Sequence, residues 1–406
     1  MFFFILIFVL HTLINIYLFN KGWKVLHAKR KSRIVYCIAF FIVYISFSLA
    51  MLGRNHFPLD IQKPMYMLGT GWLGFMLYLT LYFSLTDLLH FINKFKNYPF
   101  RSRKISLFRH CEAERQSNPE ENSGLLPASQ FAMTGADKKS TFRRIQVFSG
   151  TLLVSILLSY GYYHFSHPSV TRKEIFISKS GNEYRELKAV GISDLHLGIT
   201  VGKSRLKKYV EIINAQEPDI ILIAGDVIDN NLYPLNKEKM WEELNQLKAP
   251  LGVYFCLGNH EYLSGIEESI AFLEKTSFHI LIDESVLVDE SFYIIGRNDL
   301  HGKNRKDLAD LVQNLDKSRP MILLDHKPFH LEEAEENQID FQFSGHTHYG
   351  QMFPLNLITH RVFELPYGYM KKGDTNYYVS SGLGLWGPQY RIGTKSEVVV
   401  FDIKFN

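Results

Sequence analysis

The chain has 406 residues, enough for two or three structural units, and a formal net charge of only +4, too small to argue for a nucleic-acid partner. Hydrophobic residues make up 46% and aromatics 14%, yet mean hydropathy is close to zero, so the apolar residues must be concentrated in part of the chain. Three cysteines, Cys37, Cys111 and Cys256, with no Cys-x-x-Cys pair among them, imply neither a disulfide framework nor a cysteine-based metal motif.

Residues Met1 to Asn20 are nearly all apolar and long enough to span a bilayer. They lack the positive leading region and small-residue cleavage site of a signal peptide, so a retained helix is expected. A second span is expected from Ile34 to Leu52, and a third from Met65 to Phe91. In the third, Gly69, Gly71 and Gly74 allow close helix packing. The polar stretch from Asn93 to Arg144 shows no apolar period and is rich in Glu, Ser, Asn, Pro and Gly from Cys111 to Lys139, which reads as a flexible loop. A fourth span follows from Ile145 to Phe165. The expected organisation is three membrane helices over 1–92, a basic flexible loop over 93–144, a fourth helix over 145–166, and a separate domain over 167–406.

Basic residues set the expected topology. Lys21, Lys24, Lys29, Arg30, Lys31 and Arg33 crowd the first loop, and Lys94 to Arg144 supplies eleven more to the third. The second loop holds only Arg54 and Lys63. Positive loops stay in the cytoplasm. The chain is thus expected as a multi-pass protein of the plasma (inner) membrane, with the domain after His167 on the extracytoplasmic side.

Beyond Thr171 short apolar runs alternate with polar, helix-compatible segments. Strands are expected at Leu187 to Ser193, Asp219 to Ala224, Gly252 to Leu257, Phe292 to Gly296, Met321 to Leu324, Phe341 to Phe343, Tyr377 to Ser380 and Val398 to Ile403. Helices are expected at Lys203 to Ala215, Lys237 to Leu247, Ile266 to Lys275 and Lys306 to Leu315. Continuous runs such as Ile220-Ile-Leu-Ile223 suit strands covered on both faces, and the alternation indicates an α/β layered domain.

Polar motifs close one strand after another. Gly191-Ile-Ser-Asp-Leu-His-Leu-Gly198 carries Asp194 and His196; Asp219 to Asp226 ends in Gly-Asp. Tyr254 to Glu261 ends in Gly-Asn-His-Glu, Ile322 to Pro328 carries His326, and Phe341 to His348 ends in Gly-His-Thr-His. In open α/β sheets sites form outside the carboxyl ends of strands. Carboxylate and imidazole suit Mn, Fe or Zn. Taken singly, each motif has a bland explanation: Asp226 could cap a helix, and His326 could be a satisfied core histidine. The ordered set is far more specific.

That set resembles the calcineurin-like metallophosphoesterase superfamily over Leu187 to Asn406. The stretches Tyr377 to Gly384 and Arg391 to Gly393 resemble a membrane-anchored bacterial subgroup of it. The resemblance implies a pair of packed mixed β-sheets flanked by helices, with two divalent metal ions (Mn, Fe or Zn) at one edge. It assigns Asp194, His196, Asp226 and His348 to one metal and Asp226, Asn259, His326 and His346 to the other. His260 becomes the phosphate-facing proton donor, and Asn259, His260 and Arg391 the substrate contacts. In the subgroup a glycine usually stands where this chain has Tyr349, a change that would reshape the substrate rim. The implied reaction is hydrolysis of a phosphoester or pyrophosphate by a metal-bridging hydroxide. Asp226 and His260 are its catalytic residues.

The expected partners are the lipid bilayer and a phosphorylated small-molecule or lipid-linked substrate, nucleotide-lipids among them; no nucleic acid is expected. Asp325 is expected either to orient His326 or to be a solvated loop carboxylate. Arg297 and His301 are weaker candidates to face substrate. The alternative from another class is a catalytically silent membrane receptor or scaffold on the same fold. A transporter is disfavoured because the spans hold almost no charge.

Overall fold

The computed structural model describes residues 2–26, 30–53, 57–96 and 135–406. Four long helices come first: α1 (Phe2–Trp23), α2 (Arg30–Leu52), α3 (Leu59–Lys96) and α4 (Gly135–Ser166). Each is long and apolar enough to cross a membrane. A helix satisfies its own backbone polar groups, which hydrocarbon requires. The outward side chains of α1, among them Ile5, Phe8 and Leu13, are apolar and exposed in the isolated chain.

Two boundaries differ from those expected. α3 continues through Lys96, and α4 starts at Gly135, so both ends of the expected flexible loop are helical. Neither extension carries an apolar period, and each simply prolongs an apolar helix with helix-compatible Lys, Ala and Asp. The rest of that loop, 97–134, lies outside the described residues.

The chain divides into two units, Met1–Tyr44 with Phe75–Ser155, and Ile45–Gly74 with Ile156–Asn406. The end of α2, the start of α3 and the end of α4 cluster with the α/β layers in the second of these. In the first unit the polar side chains pair with one another. Tyr17 and Lys21 reach Asp87 at 2.8 and 2.5 Å, Tyr82 meets Ser149 at 3.0 Å, and Gln146 donates to Thr86 at 2.5 Å. Such pairing offsets the cost of removing polar groups from water.

The second unit adds twelve strands and eight helices after α4. The chain runs β1 (Ser169–Ile177), β2 (Glu186–Ile192), α5 (Lys203–Asn214), β3 (Ile220–Ala224), α6 (Leu232–Lys237), α7 (Trp241–Leu244), β4 (Val253–Cys256), α8 (Asn259–Leu263), α9 (Ile266–Leu273) and β5 (Phe278–Leu281). It continues through β6 (Glu284–Val288), β7 (Phe292–Gly296), α10 (Leu308–Val312), β8 (Met321–Leu324), α11 (Leu331–Glu336), β9 (Phe341–Ser344), α12 (Asn356–Val362), β10 (Gly368–Lys372), β11 (Thr375–Val379) and β12 (Glu397–Phe405). One mixed sheet has the order β1-β12-β2-β3-β4-β5 and the other β10-β11-β9-β8-β7-β6.

The sheets pack face to face. Ile220, Leu222 and Ala224 of β3 share a core with Ile294, Ile322, Leu324, Phe341 and Phe343 of the second sheet. The intervening Ile221 and Ile223 pack instead with Leu206 and Val210 of α5 and Phe272 of α9. β8 divides the same way, with Met321 and Leu323 against α10 and α11. Burial on both faces accounts for the unbroken apolar runs, and each such side chain contributes about 1.5–3 kcal/mol.

Every strand expected from the sequence is present within two residues at each end. Four others, β1, β5, β6 and β10, had no counterpart, and all four lie at sheet edges. β1 reads Ser-Val-Thr-Arg-Lys-Glu and alternates half-buried with exposed positions, as edge strands do. The helix expected from Lys237 to Leu247 is shortened to α7, with α6 ending at Lys237 where the expected helix begins; between them Lys239 has a φ of 49°, which a right-handed helix does not admit.

Candidate metal centre

β2, β3 and β4 are parallel neighbours in the first sheet, and β8 and β9 in the second. Their carboxyl ends deliver the motif side chains to a common place. Five of these residues have left-handed backbone: Asp194 (φ 53°), His196 (47°), Asp226 (53°), His346 (71°) and His348 (48°). Each such non-glycine residue costs of order 1–3 kcal/mol and persists only where its surroundings hold it. Here Asp194 N donates to Gly225 O at 3.1 Å, His196 N to Asp226 O at 3.0 Å, and Gly384 N to Asp194 O at 2.9 Å. Two glycines permit the approach. A Cβ on Gly225, whose φ is +75°, would meet the His326 ring, and one on Gly258 would collide with the Asp226 carboxylate.

Asp194, His196 and His348 form one group, and Asp226, His326 and His346 another; within each group one donor atom per residue lies within 4.8 Å of the others. In the first, His196 Nε2 and His348 Nε2 face each other at 3.1 Å, with Asp194 Oδ1 at 3.9 and 3.5 Å. In the second, His326 Nε2 lies 3.2 Å from Asp226 Oδ2 and 3.3 Å from Asn259 Oδ1. The same Asp226 Oδ2 is 3.8 Å from His196 Nε2, so one carboxylate reaches both groups. His326 Nδ1 lies 2.8 Å from Ala224 O, an arrangement that commits the Nδ1 proton there and aims Nε2 inward at Asp226 and Asn259.

Burial dominates the electrostatics. It pushes Asp194 up to about 6 against the attraction of His326. It holds His196 and His348 well below the usual imidazole range, helped by neighbouring histidines, and His346 down to about 3. Burial would lower His326 too, but Asp226 overrides it and raises the ring to about 10; Asp226 is correspondingly held low. His196, His346 and His348 are thus neutral donors, and the His326 ring, protonated beside Asp226, would yield its Nε2 proton to a cation; with the carboxylates they make the donor set that Mn, Fe or Zn takes. The residues present therefore fit two divalent cations.

Around this cluster stand residues with other tasks. His260 N donates to Asp226 Oδ1 at 2.8 Å, and His260 Nδ1 lies 2.5 Å from the Asp229 carbonyl. Asp229 was not singled out from the sequence. Its carboxylate is 3.7 Å from His196 Nδ1 and 3.8 Å from His260 Nδ1, and burial raises it to about 7. Glu261 had no role assigned either. It is fully buried, and its carboxylate accepts from Gly258 N at 2.8 Å and from Asp226 N and Ile228 N at 3.1 Å. Its position three residues after the N-cap Gly258 is the one signal that could have found it.

Three other expectations met a different outcome. Arg391, expected as a substrate contact, is fully buried. Its Nη1 donates to Ser381 O at 2.6 Å and His348 O at 3.3 Å, and its Nη2 to Gly382 O at 3.0 Å and Gly384 O at 2.5 Å. It braces the turn beside Asp194 and His348. Asp325 is neither solvated nor bonded to His326; it is buried and paired with Arg305 at 2.6 Å and Arg297 at 3.3 Å. Arg297 is thereby committed, to Asp325 and to Glu333 at 2.6 Å. His301 is half-exposed and 2.7 Å from Asp299. Tyr349 stands on the turn after His348, its hydroxyl 3.1 Å from His360 of α12, and Trp386 lies 6.2 Å ring to ring from His260.

Residues 187–350 match the family model described as calcineurin-like phosphoesterase. The chain is 36% identical over 230 residues to an uncharacterized metallophosphoesterase of Campylobacter jejuni, covering 55% of this chain and 60% of that protein. It is 34% identical over 226 residues to an uncharacterized metallophosphoesterase of Aquifex aeolicus, covering 54% of this chain and 85% of the other. A Bos taurus transmembrane protein with metallophosphoesterase domain is 31% identical over 250 residues, 57% of this chain and 56% of the relative. The chain thus spans about three fifths of the Campylobacter relative's length.

Proposed function

The chain belongs to the calcineurin-like metallophosphoesterase family, and from that premise we propose a membrane-anchored hydrolase that cleaves the phosphoester or pyrophosphate of an amphiphilic, lipid-linked substrate with two divalent metals. The observation that carries the reading is the convergence of two three-residue donor groups on one shared carboxylate, Asp226. One metal would be held by Asp194, His196, Asp226 and His348, and the other by Asp226, Asn259, His326 and His346.

Bound there, two divalent cations would neutralise phosphoryl charge and make water a better nucleophile. The protein's own groups supply the rest. Asp226 keeps the two ligand groups in register, since its Oδ2 reaches both while its Oδ1 is held by the His260 amide. His260 is oriented by the Asp229 carbonyl, and its free ring edge protonates the leaving oxygen. Asn259 and His260, both on the first turn of α8, contact the phosphate.

The amphiphilic substrate is supported by an apolar rim. Phe353, Leu357, Ile358 and Val362, in and just before α12, expose half or more of their surface, as does Trp386 nearly. Tyr349 ties α12 to the turn that carries His348. Contiguous exposed apolar residues beside a polar site suit a substrate with an apolar tail. The basic first and third loops favour an extracytoplasmic catalytic unit. An alkaline phosphatase reporter fused to the C-terminus should be active; an inactive reporter beside an active cytoplasmic one would reverse the side. The complete donor set and His260 weigh against a silent scaffold. Asp226→Ala and His348→Ala should each abolish Mn2+-dependent hydrolysis of p-nitrophenyl phosphate while the protein still melts cooperatively; full activity in both would remove the assigned centre.

A further inference from the structure

A crevice of about 510 Å3 lies within the second unit, away from the donor groups, where α3 and α4 adjoin α5. Four cations line it: Lys63 on α3 and Lys203, Arg205 and Lys208 on α5, against a single carboxylate, Glu238. Glu238 is already engaged, accepting from Lys203 N at 3.1 Å. Lys203 Nζ is neutralised by Glu242 at 3.2 Å. Arg205 stacks on the Phe165 ring at 4.0 Å, which orients its guanidinium without cancelling its charge. Lys63 and Lys208 make no ion pair among the described residues. No acidic side chain stands in the first turn of α5, so the positive end of that twelve-residue helix adds to the field.

One buried hydroxyl atom on the lining, Ser166 Oγ, has no hydrogen-bond partner among the described residues, whereas Thr200 Oγ1 is answered by the Tyr66 hydroxyl. A buried hydroxyl without a partner costs about 1–3 kcal/mol, and a ligand oxygen would supply one. The remaining lining includes Met67 and Tyr162, which are apolar in body. A lining that combines cations with apolar side chains suits a lipid headgroup.

The location fits as well. Lys63 stands in the second turn of α3, a helix of 38 residues and thus about 57 Å long, against a hydrocarbon core of about 30 Å. Ser166 is the last residue of α4. The crevice therefore forms where two apolar spans end. Clustered Lys and Arg close to a membrane surface attract anionic lipid headgroups over about a Debye length.

We propose that this crevice binds the phosphate headgroup of an anionic membrane phospholipid. The proposal rests on the helices' membrane placement and is independent of hydrolysis at the metal centre. The lipid would anchor the catalytic layers through α5 and the Ile199–Thr200 loop, which follows closely on His196.

The test uses the full chain in neutral detergent and three probes: dihexanoyl phosphatidylglycerol, dihexanoyl phosphatidylcholine and inorganic phosphate. Phosphatidylglycerol should bind more tightly than the other two. The double variant Lys63→Ala/Lys208→Ala should weaken it by about 25-fold, and each single variant by about fivefold. Lys207→Ala removes the same charge from an exposed position of α5 that does not line the crevice, and should leave binding unchanged. Retained hydrolysis of p-nitrophenyl phosphate shows that each variant is folded; if the double variant is not, the single variants decide. Equal binding of the two lipids would overturn the proposal. So would equal weakening by Lys207→Ala, which indicates diffuse surface charge, or phosphate binding as tight as the lipid. Lipid bound at the metal centre instead would not respond to Lys63 or Lys208, and that insensitivity would also refute it.

Discussion

Glu261 offers the sharpest test of how the metal centre is held. Its carboxylate is the acceptor for three backbone N–H groups, those of Gly258, Asp226 and Ile228, and it is fully buried. Two of these amides flank the left-handed turn at Asp226. Glu261→Ala leaves all three donors without a partner. At about 1–3 kcal/mol for each buried orphan, and with water entering the small void, a loss of at least about 3 kcal/mol is expected. Glu261→Gln keeps one acceptor oxygen but turns an NH2 toward at least one amide, for about 1–3 kcal/mol. In a domain of this size that corresponds to a fall in melting temperature of roughly 6–12 °C for the alanine variant. Because Asp226 loses its support, Mn2+ affinity should also drop by about 10–100-fold, the usual range for groups that orient ligands. Both readouts are accessible on the full chain in detergent, by tryptophan-fluorescence melting and by calorimetric titration with Mn2+. An alanine variant that melts within about 2 °C of the parent and binds Mn2+ equally well would refute the reasoning.

The other expectations use different handles. Stripping the protein with chelator should eliminate hydrolysis, and returning Mn2+ to about 100 times its dissociation constant should restore about 2.7 kcal/mol of stability, read as a higher melting temperature. Arg391→Met removes the donor for four carbonyls around His348 and Gly384 and should lower stability by about 3–5 kcal/mol; a substrate-contact role would instead raise KM with the melting temperature unchanged. Ile358→Asp, on the exposed face of α12, should cut kcat/KM for a lipid-linked phosphoester by about tenfold or more while hydrolysis of p-nitrophenyl phosphate stays at the parent level. Equal loss on both substrates would remove α12 from the substrate rim.

Much of this architecture is local in origin and was legible along the chain. The apolar spans follow from length and absence of charge, and the central strands follow from runs such as Ile220 to Ile223, buried on both faces. The donors follow from their position just beyond those strands. What could not be read is non-local. Of the edge strands, β1 and β10 carry runs of charged residues and β5 and β6 are only four and five residues long, so only pairing within a formed sheet makes them strands. Asp325 sits next to His326 in sequence, yet its charge is answered by Arg297 and Arg305, which lie 28 and 20 residues away. Arg391 looked like a phosphate ligand because an arginine beside glycines carries no sign of its burial. Its guanidinium turned out to serve carbonyls on two separate segments, at His348 and from Ser381 to Gly384. Asp229 and Glu261 likewise acquire their roles from contacts across the site. The sequence by itself determined which side chains could chelate metal and roughly where they would emerge. Only the tertiary structure decided which charges hold the site together, because a buried charge is defined by what surrounds it and not by what precedes it in the chain.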